Sequence, residues 1–142
     1  STVLCNLGIV LEAQGDESSA RLHYEQAVAL AAELSDSRSE GQFRGYLGLL
    51  LARAGQIDPA IQCMSSGESL LRDSVDDLSL GILLCQKSRM LLIIERFGDA
   101  NTCLAQAEEI AQRISAPSES ELALSLAEGR KMLATAVAAG VH

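Results

Sequence analysis

Tryptophan is absent from this 142-residue chain, and phenylalanine and tyrosine together supply only 3% of it. A twisted sheet would want more aromatic and β-branched residues, so a core left to Leu, Ala, Ile, Val and Met predicts helices. Proline occurs twice and interrupts little. There is no run of 18 apolar residues, which excludes a membrane-spanning helix, and no charged stretch leads into an apolar one as in a signal peptide. Basic residues are the minority: 11 Lys and Arg face 19 Asp and Glu, for a net charge of −8 and a pI near 4.7. That balance argues against non-specific attachment to nucleic acid or to an anionic membrane, while leaving room for a local basic site.

Chemical signatures are missing as well. No glycine-rich phosphate loop, no G-x-S-x-G and no H-E-x-x-H occurs, so the expectation is a chain without enzymatic activity, cofactor or metal. The four cysteines, Cys5, Cys63, Cys85 and Cys103, form no C-x-x-C, and each sits inside an apolar helical pattern. They read as reduced core thiols of a cytoplasmic protein. His23 has no ligand partner at metal spacing and reads as a partly exposed helix residue; His142 is a chain-end residue. The adjacent pairs Asp76–Asp77 and Glu108–Glu109 do not converge on one helical face, which leaves them as surface charge, the first pair near a helix start that favours anions. The serines in the breaks read as helix caps.

What the chain does have is helical periodicity. Leu4, Leu7, Val10 and Leu11 share a face before Gly15, and Ala20, Tyr24, Ala27, Val28, Ala31 and Leu34 form the stripe of a second helix. Further helices are expected over about 39–54, 57–72 (with Pro59 in the first turn), 78–96, 100–114 and 119–138. Ser37-x-x-Glu40 and Ser118-x-x-Glu121 resemble capping boxes. The breaks are short, so neighbouring helices should run antiparallel. Gly15, Gly55, Gly98 and Gly140 align as the ends of the odd-numbered helices, at spacings of 40, 43 and 42 residues, which makes the repeating unit a helical hairpin.

The first unit carries Leu4, Leu7, Gly8, Leu11, Ala20, Tyr24 and Ala27, and the second Leu47, Gly48, Leu51, Ala60 and Met64, with Gly67 where alanine would stand. Leu91, Ile94, Cys103 and Ala107 of the third unit keep only size and polarity. On these residues nearly the whole chain resembles the tetratricopeptide repeat family, in a long-helix subclass, since its period of about 40 residues exceeds the family's usual 34. The resemblance implies an all-α, right-handed superhelical solenoid of antiparallel helix pairs, about seven helices in all. It is expected to form a single domain, with repeats at about 1–36, 37–75 and 76–116 and a half repeat at 117–140. Because the chain opens on Ser in mid-pattern, it reads as a piece of a longer protein.

The resemblance also implies a non-catalytic scaffold that binds a peptide or protein segment in a concave groove lined by the odd-numbered helices. Mapping those helices selects Asn6, Tyr46, Arg53, Arg89, Arg96, Arg130 and Lys131 as candidate contacts. The five cations in that set, of the chain's eleven, point to a partner with an acidic stretch, because guanidinium groups grip carboxylates in a bidentate fork. Arg89 and Arg96, seven apart, are expected on one face of one helix. Arg44 stands where an apolar residue would and should lay its stem on apolar surface. The alternative reading is a regulatory sensor segment that binds a small molecule or a companion domain. The last helix, rich in apolar positions with no second helix to cover it, predicts an exposed strip around Leu126 and Leu133, covered either by a further repeat or by a second copy of the chain.

Overall fold

The 3.6-residue periodicity resolves, in a computed structural model that describes residues 2–140, into seven helices. These are α1 (Thr2–Ala13), α2 (Glu17–Glu33), α3 (Ser37–Arg53), α4 (Ile57–Asp73), α5 (Asp77–Ile93), α6 (Phe97–Arg113) and α7 (Glu121–Gly140), with no strand among the described residues. Helices α2 to α6 each have 17 residues and start at positions 17, 37, 57, 77 and 97, so a new helix begins every 20 residues. His142 lies outside the described residues.

One corner geometry sets this beat. Gly15, Ser35, Gly55, Glu95 and Ser115 all take a left-handed conformation, with φ between 52° and 84°. At each, the next N–H reaches back five residues: Asp16 to the Leu11 carbonyl, Asp36 to Ala31, Gln56 to Leu51, Arg96 to Leu91 and Ala116 to Ala111, at 2.8–2.9 Å. This is the Schellman closure of a helix, and the residue that donates to it at 16, 36, 56 and 96 is also the cap of the next helix. The junction after α4 departs from the rule, because Ser74 is extended (φ −92°, ψ 167°).

Two expectations need correction here. Gly98 does not end α5. The helix stops at Ile93, Glu95 supplies the left-handed corner, and Gly98 lies in the first turn of α6; Gly140 likewise lies within α7. The period is therefore 40, and the third unit aligns Leu84, Ser88, Leu91, Ala100, Leu104 and Ala107 with Leu4, Gly8, Leu11, Ala20, Tyr24 and Ala27. The capping boxes also move: Asp36 rather than Ser37 caps α3, and Ser120 rather than Ser118 caps the N–H of Ala123. Asp16, Asp36 and Asp76 each accept from the backbone N–H of the serine three residues on, at 3.1–3.2 Å, a D-x-x-S cap in the same register.

These corners and caps give two expected results. Glu95→Gly relieves a left-handed non-glycine residue and should raise stability by about 0.5–1 kcal/mol, read as a higher urea midpoint. Asp36→Ala should cost about 1 kcal/mol. The Ser39 hydroxyl and N–H hold the Asp36 carboxyl below its ordinary range. Its contribution is thus complete above the normal carboxylate pKa and fades as pH falls through the lowered folded value, so the gap between wild type and Asp36→Ala should narrow in acid.

The helices gather into two compact units, Ser1–Val75 and Asp76–His142. In the first, α1 packs on α2, α2 on α3 and α3 on α4. Within each hairpin a small residue of the first helix admits a large one of the second: a Cβ on Gly8 would lie 2.5 Å from the Tyr24 ring, and one on Gly48 3.2 Å from the Met64 methyl. Ala20, Tyr24, Ala27, Ala60 and Met64 are wholly buried. In the second unit α5, α6 and α7 all touch one another. Ala100, Leu104, Ala107 and Leu122 lie at its centre, and Gly129 lets α7 approach Leu104.

Candidate functional site

Cations and their partners decide where a ligand could be held. In the first unit the side chains of α1, α2 and α3 meet in a polar cluster. The Tyr24 hydroxyl donates to Glu12 Oε1 at 2.8 Å, and Arg53 Nη1 donates to Glu12 Oε2 at 3.0 Å. Tyr46 stacks on Tyr24 with ring centroids 6.0 Å apart. Burial, and then the hydrogen bond to Glu12, push the Tyr24 hydroxyl far above the ordinary phenol range, so it stays a donor. The structure thus brings together Tyr46 and Arg53 of the candidate set, with Arg53 already neutralised by Glu12. Sequence reasoning had missed the Tyr24–Glu12 link, which spans 12 residues and obeys no helical spacing. Asn6 is exposed on α1.

In the second unit the cations separate into paired and unpaired. Arg130 donates through Nε to Glu108 at 2.7 Å and through Nη1 to Asn101, so it points at α6. Arg96 caps α6 and pairs with Asp99 at 2.5 Å. It therefore shares no helical face with Arg89, since α5 has ended three residues earlier. Lys131 is exposed. Arg89, partly buried on α5, differs from the rest: its Nε is shut off from solvent and has no hydrogen-bond partner. Burial pushes the nearby Cys85 thiol up to about 11, and the Arg89 charge pulls against that rise.

Other groups are accounted for. All four cysteines are free and buried, and burial raises the Cys5 thiol to about 11 and the Cys63 thiol in the same direction. His23 Nδ1 bonds the Ser19 carbonyl at 2.7 Å, and Arg44 pairs with Glu40 at 2.7 Å. Asp77 meets Arg113 at 3.2 Å. Among the described residues no three His, Cys, Asp or Glu gather as a metal would need. A recess of about 300 Å³ lies between α6 and α7, walled mainly by Ala111, Ala123, Leu126 and Ala127 and edged by the Glu108–Arg130 pair. No described helix is long and apolar enough to cross a membrane.

The expected strip on α7 is corrected by burial. Leu126 and Leu133 are 8% and 9% exposed, so they face their own unit; Leu124 and Val137 are the large apolar residues left outside.

These features define an all-α packing of helix pairs, of the general helical-repeat kind. No family model matches the chain, and neither a curated protein nor a solved structure matches it.

Proposed function

We propose that the chain is a non-catalytic, cytoplasmic protein-interaction scaffold, and that a carboxylate on its partner segment meets Arg89. One observation carries this reading: the Arg89 guanidinium Nε is buried and without a partner, whereas Arg96 and Arg130 are paired. Leaving such a group unsatisfied is costly, and a carboxylate is the group whose geometry matches it. The remaining elements belong to the same proposal. These are membership of the tetratricopeptide family, a right-handed superhelical fold, and peptide contacts at Asn6 and Tyr46 in the first unit and at Lys131 in the second. The Gly8–Tyr24 and Gly48–Met64 pairs and the 40-residue period support them. Rigid helices hold such contacts without an ordering cost at binding.

The recess between α6 and α7 gives the alternative, a small-molecule sensor, its foothold, but its charged groups, Glu108 and Arg130, already satisfy each other. A fluorescein-labelled decaglutamate peptide tests the leading reading by anisotropy. Saturable binding should weaken about tenfold in Arg89→Glu and change little in Arg96→Glu, whose side chain sits in a corner. Absence of saturable binding, or equal affinity in Arg89→Glu, would overturn it.

A further inference from the structure

The 40-residue register equates Val3, Leu7 and Val10 of α1 with Phe43, Leu47 and Leu50 of α3, and Val3 and Val10 with Leu83 and Met90 of α5. The α3 residues are 4%, 7% and 2% exposed. Those of α1 are 70%, 45% and 51% exposed, although they are equally apolar. The residue between the outer two is Tyr46 in α3 and Asn6 in α1. Tyr46 stacks on Tyr24, which places α2 along that side of α3, with Phe43 and Leu50 three and four residues away on the same face. The exposed stripe of α1 is therefore a second copy of a surface that, one repeat later, carries a helix.

That interface also states the chemistry of its occupant. α2 buries Ala20, Tyr24, Ala27, Val28 and Ala31, an amphipathic helix with alanines about Tyr24 and Val28. The chain has three helices of this kind. The others bury Ala60, Cys63, Met64, Gly67 and Leu71 in α4, and Ala100, Cys103, Leu104, Ala107 and Ile110 in α6, again small residues interleaved with large ones. All three faces are already covered within the molecule, so a second folded copy has none to offer.

We infer that the Val3–Leu7–Val10 stripe of α1 is a docking site for an amphipathic helix of α2's chemistry, supplied by a partner from outside these 142 residues. The helix lies along α1 as α2 lies along α3, with alanines against the valines and a polar group against Asn6. This surface is separate from Arg89, so the acidic-segment reading stands or falls independently.

The test uses a labelled synthetic peptide of residues 16–36, which carries the α2 face, titrated into the whole chain. Saturable 1:1 binding is expected, with a gain of helical circular dichroism in the peptide. Val10→Glu should weaken it about tenfold or more, whereas Leu22→Glu, equally exposed on α2, should leave it unchanged. Should Val10→Glu disturb the fold, the milder pair Val3→Gln and Leu7→Gln replaces it. Absence of saturable binding, or binding indifferent to all these α1 changes, overturns the inference. So does concentration-dependent dimerisation of the chain alone that Val10→Glu abolishes, because the stripe would then belong to a second copy.

Discussion

Tyr24→Ala should lower the unfolding free energy by about 3–5 kcal/mol, the usual cost of emptying a large buried aromatic site. Tyr24 is wholly buried, fills the space left by Gly8, stacks on Tyr46 and donates to Glu12. The alanine variant loses all three contacts and leaves Glu12 with Arg53 alone. Tyr24→Phe separates the parts: the ring stays, the hydroxyl goes, and the cost should fall to about 1–2 kcal/mol. Urea unfolding followed by circular dichroism reads both. The raised hydroxyl pKa adds a pH dependence with a definite sign. Below about 10, the ordinary phenol value, both states keep the proton and the contribution is complete; above it the unfolded state ionises first and stability falls. Tyr24→Phe should flatten that alkaline loss. A wild-type midpoint for Tyr24→Ala would contradict this account of the first unit.

Leu126→Glu should unfold α5–α7 rather than separate two copies. The side chain is buried on α7, which packs against both α5 and α6, so a carboxylate there is a desolvated charge costing several kcal/mol. Hydrogen exchange should show amide protection lost across residues 77–140. Leu124→Glu, two residues away on the outward side, should leave that protection intact because Leu124 is already 59% exposed. Equal behaviour of the two variants would mean that α7 packs otherwise. The contrast shows why the sequence misled at this helix. Its apolar positions surround much of the circumference, and periodicity alone does not say which of Leu122, Leu124, Leu126 and Leu133 faces inward.

The seven helices themselves were readable, because Leu, Ala and Val recur at helical spacing and the breaks between them are short. Gly8 and Gly48 were readable as matched small positions, but that Tyr24 and Met64 fill the space beside them came from the structure. What failed was the use of glycine as a ruler. A Schellman corner needs a left-handed residue, and glycine supplies it most easily, yet Ser35, Glu95 and Ser115 adopt it here. Aligning on Gly98 slid the third unit by three residues, hid Ala100 and Leu104 as the counterparts of Ala20 and Tyr24, and carried Arg96 onto a helix it does not belong to. The D-x-x-S caps at 16, 36 and 76 held the true register in plain sight. The sequence named the candidate cations but not their partners: the pairing of Arg53 with Glu12 and of Arg130 with Glu108 joins positions 41 and 22 residues apart. Only the folded chain reveals that Arg89 Nε lacks such a companion.

The 17-residue helices and their recurring left-handed corners have an evolutionary corollary. A residue gained or lost inside one of them would rotate everything downstream by about 100° and turn core side chains towards water. A whole forty-residue block, by contrast, could be duplicated or excised with each surviving hairpin still meeting the surface it was shaped for. Length variation among descendants of such a chain should therefore come in modules, with the arithmetic of the corners acting as its quantum.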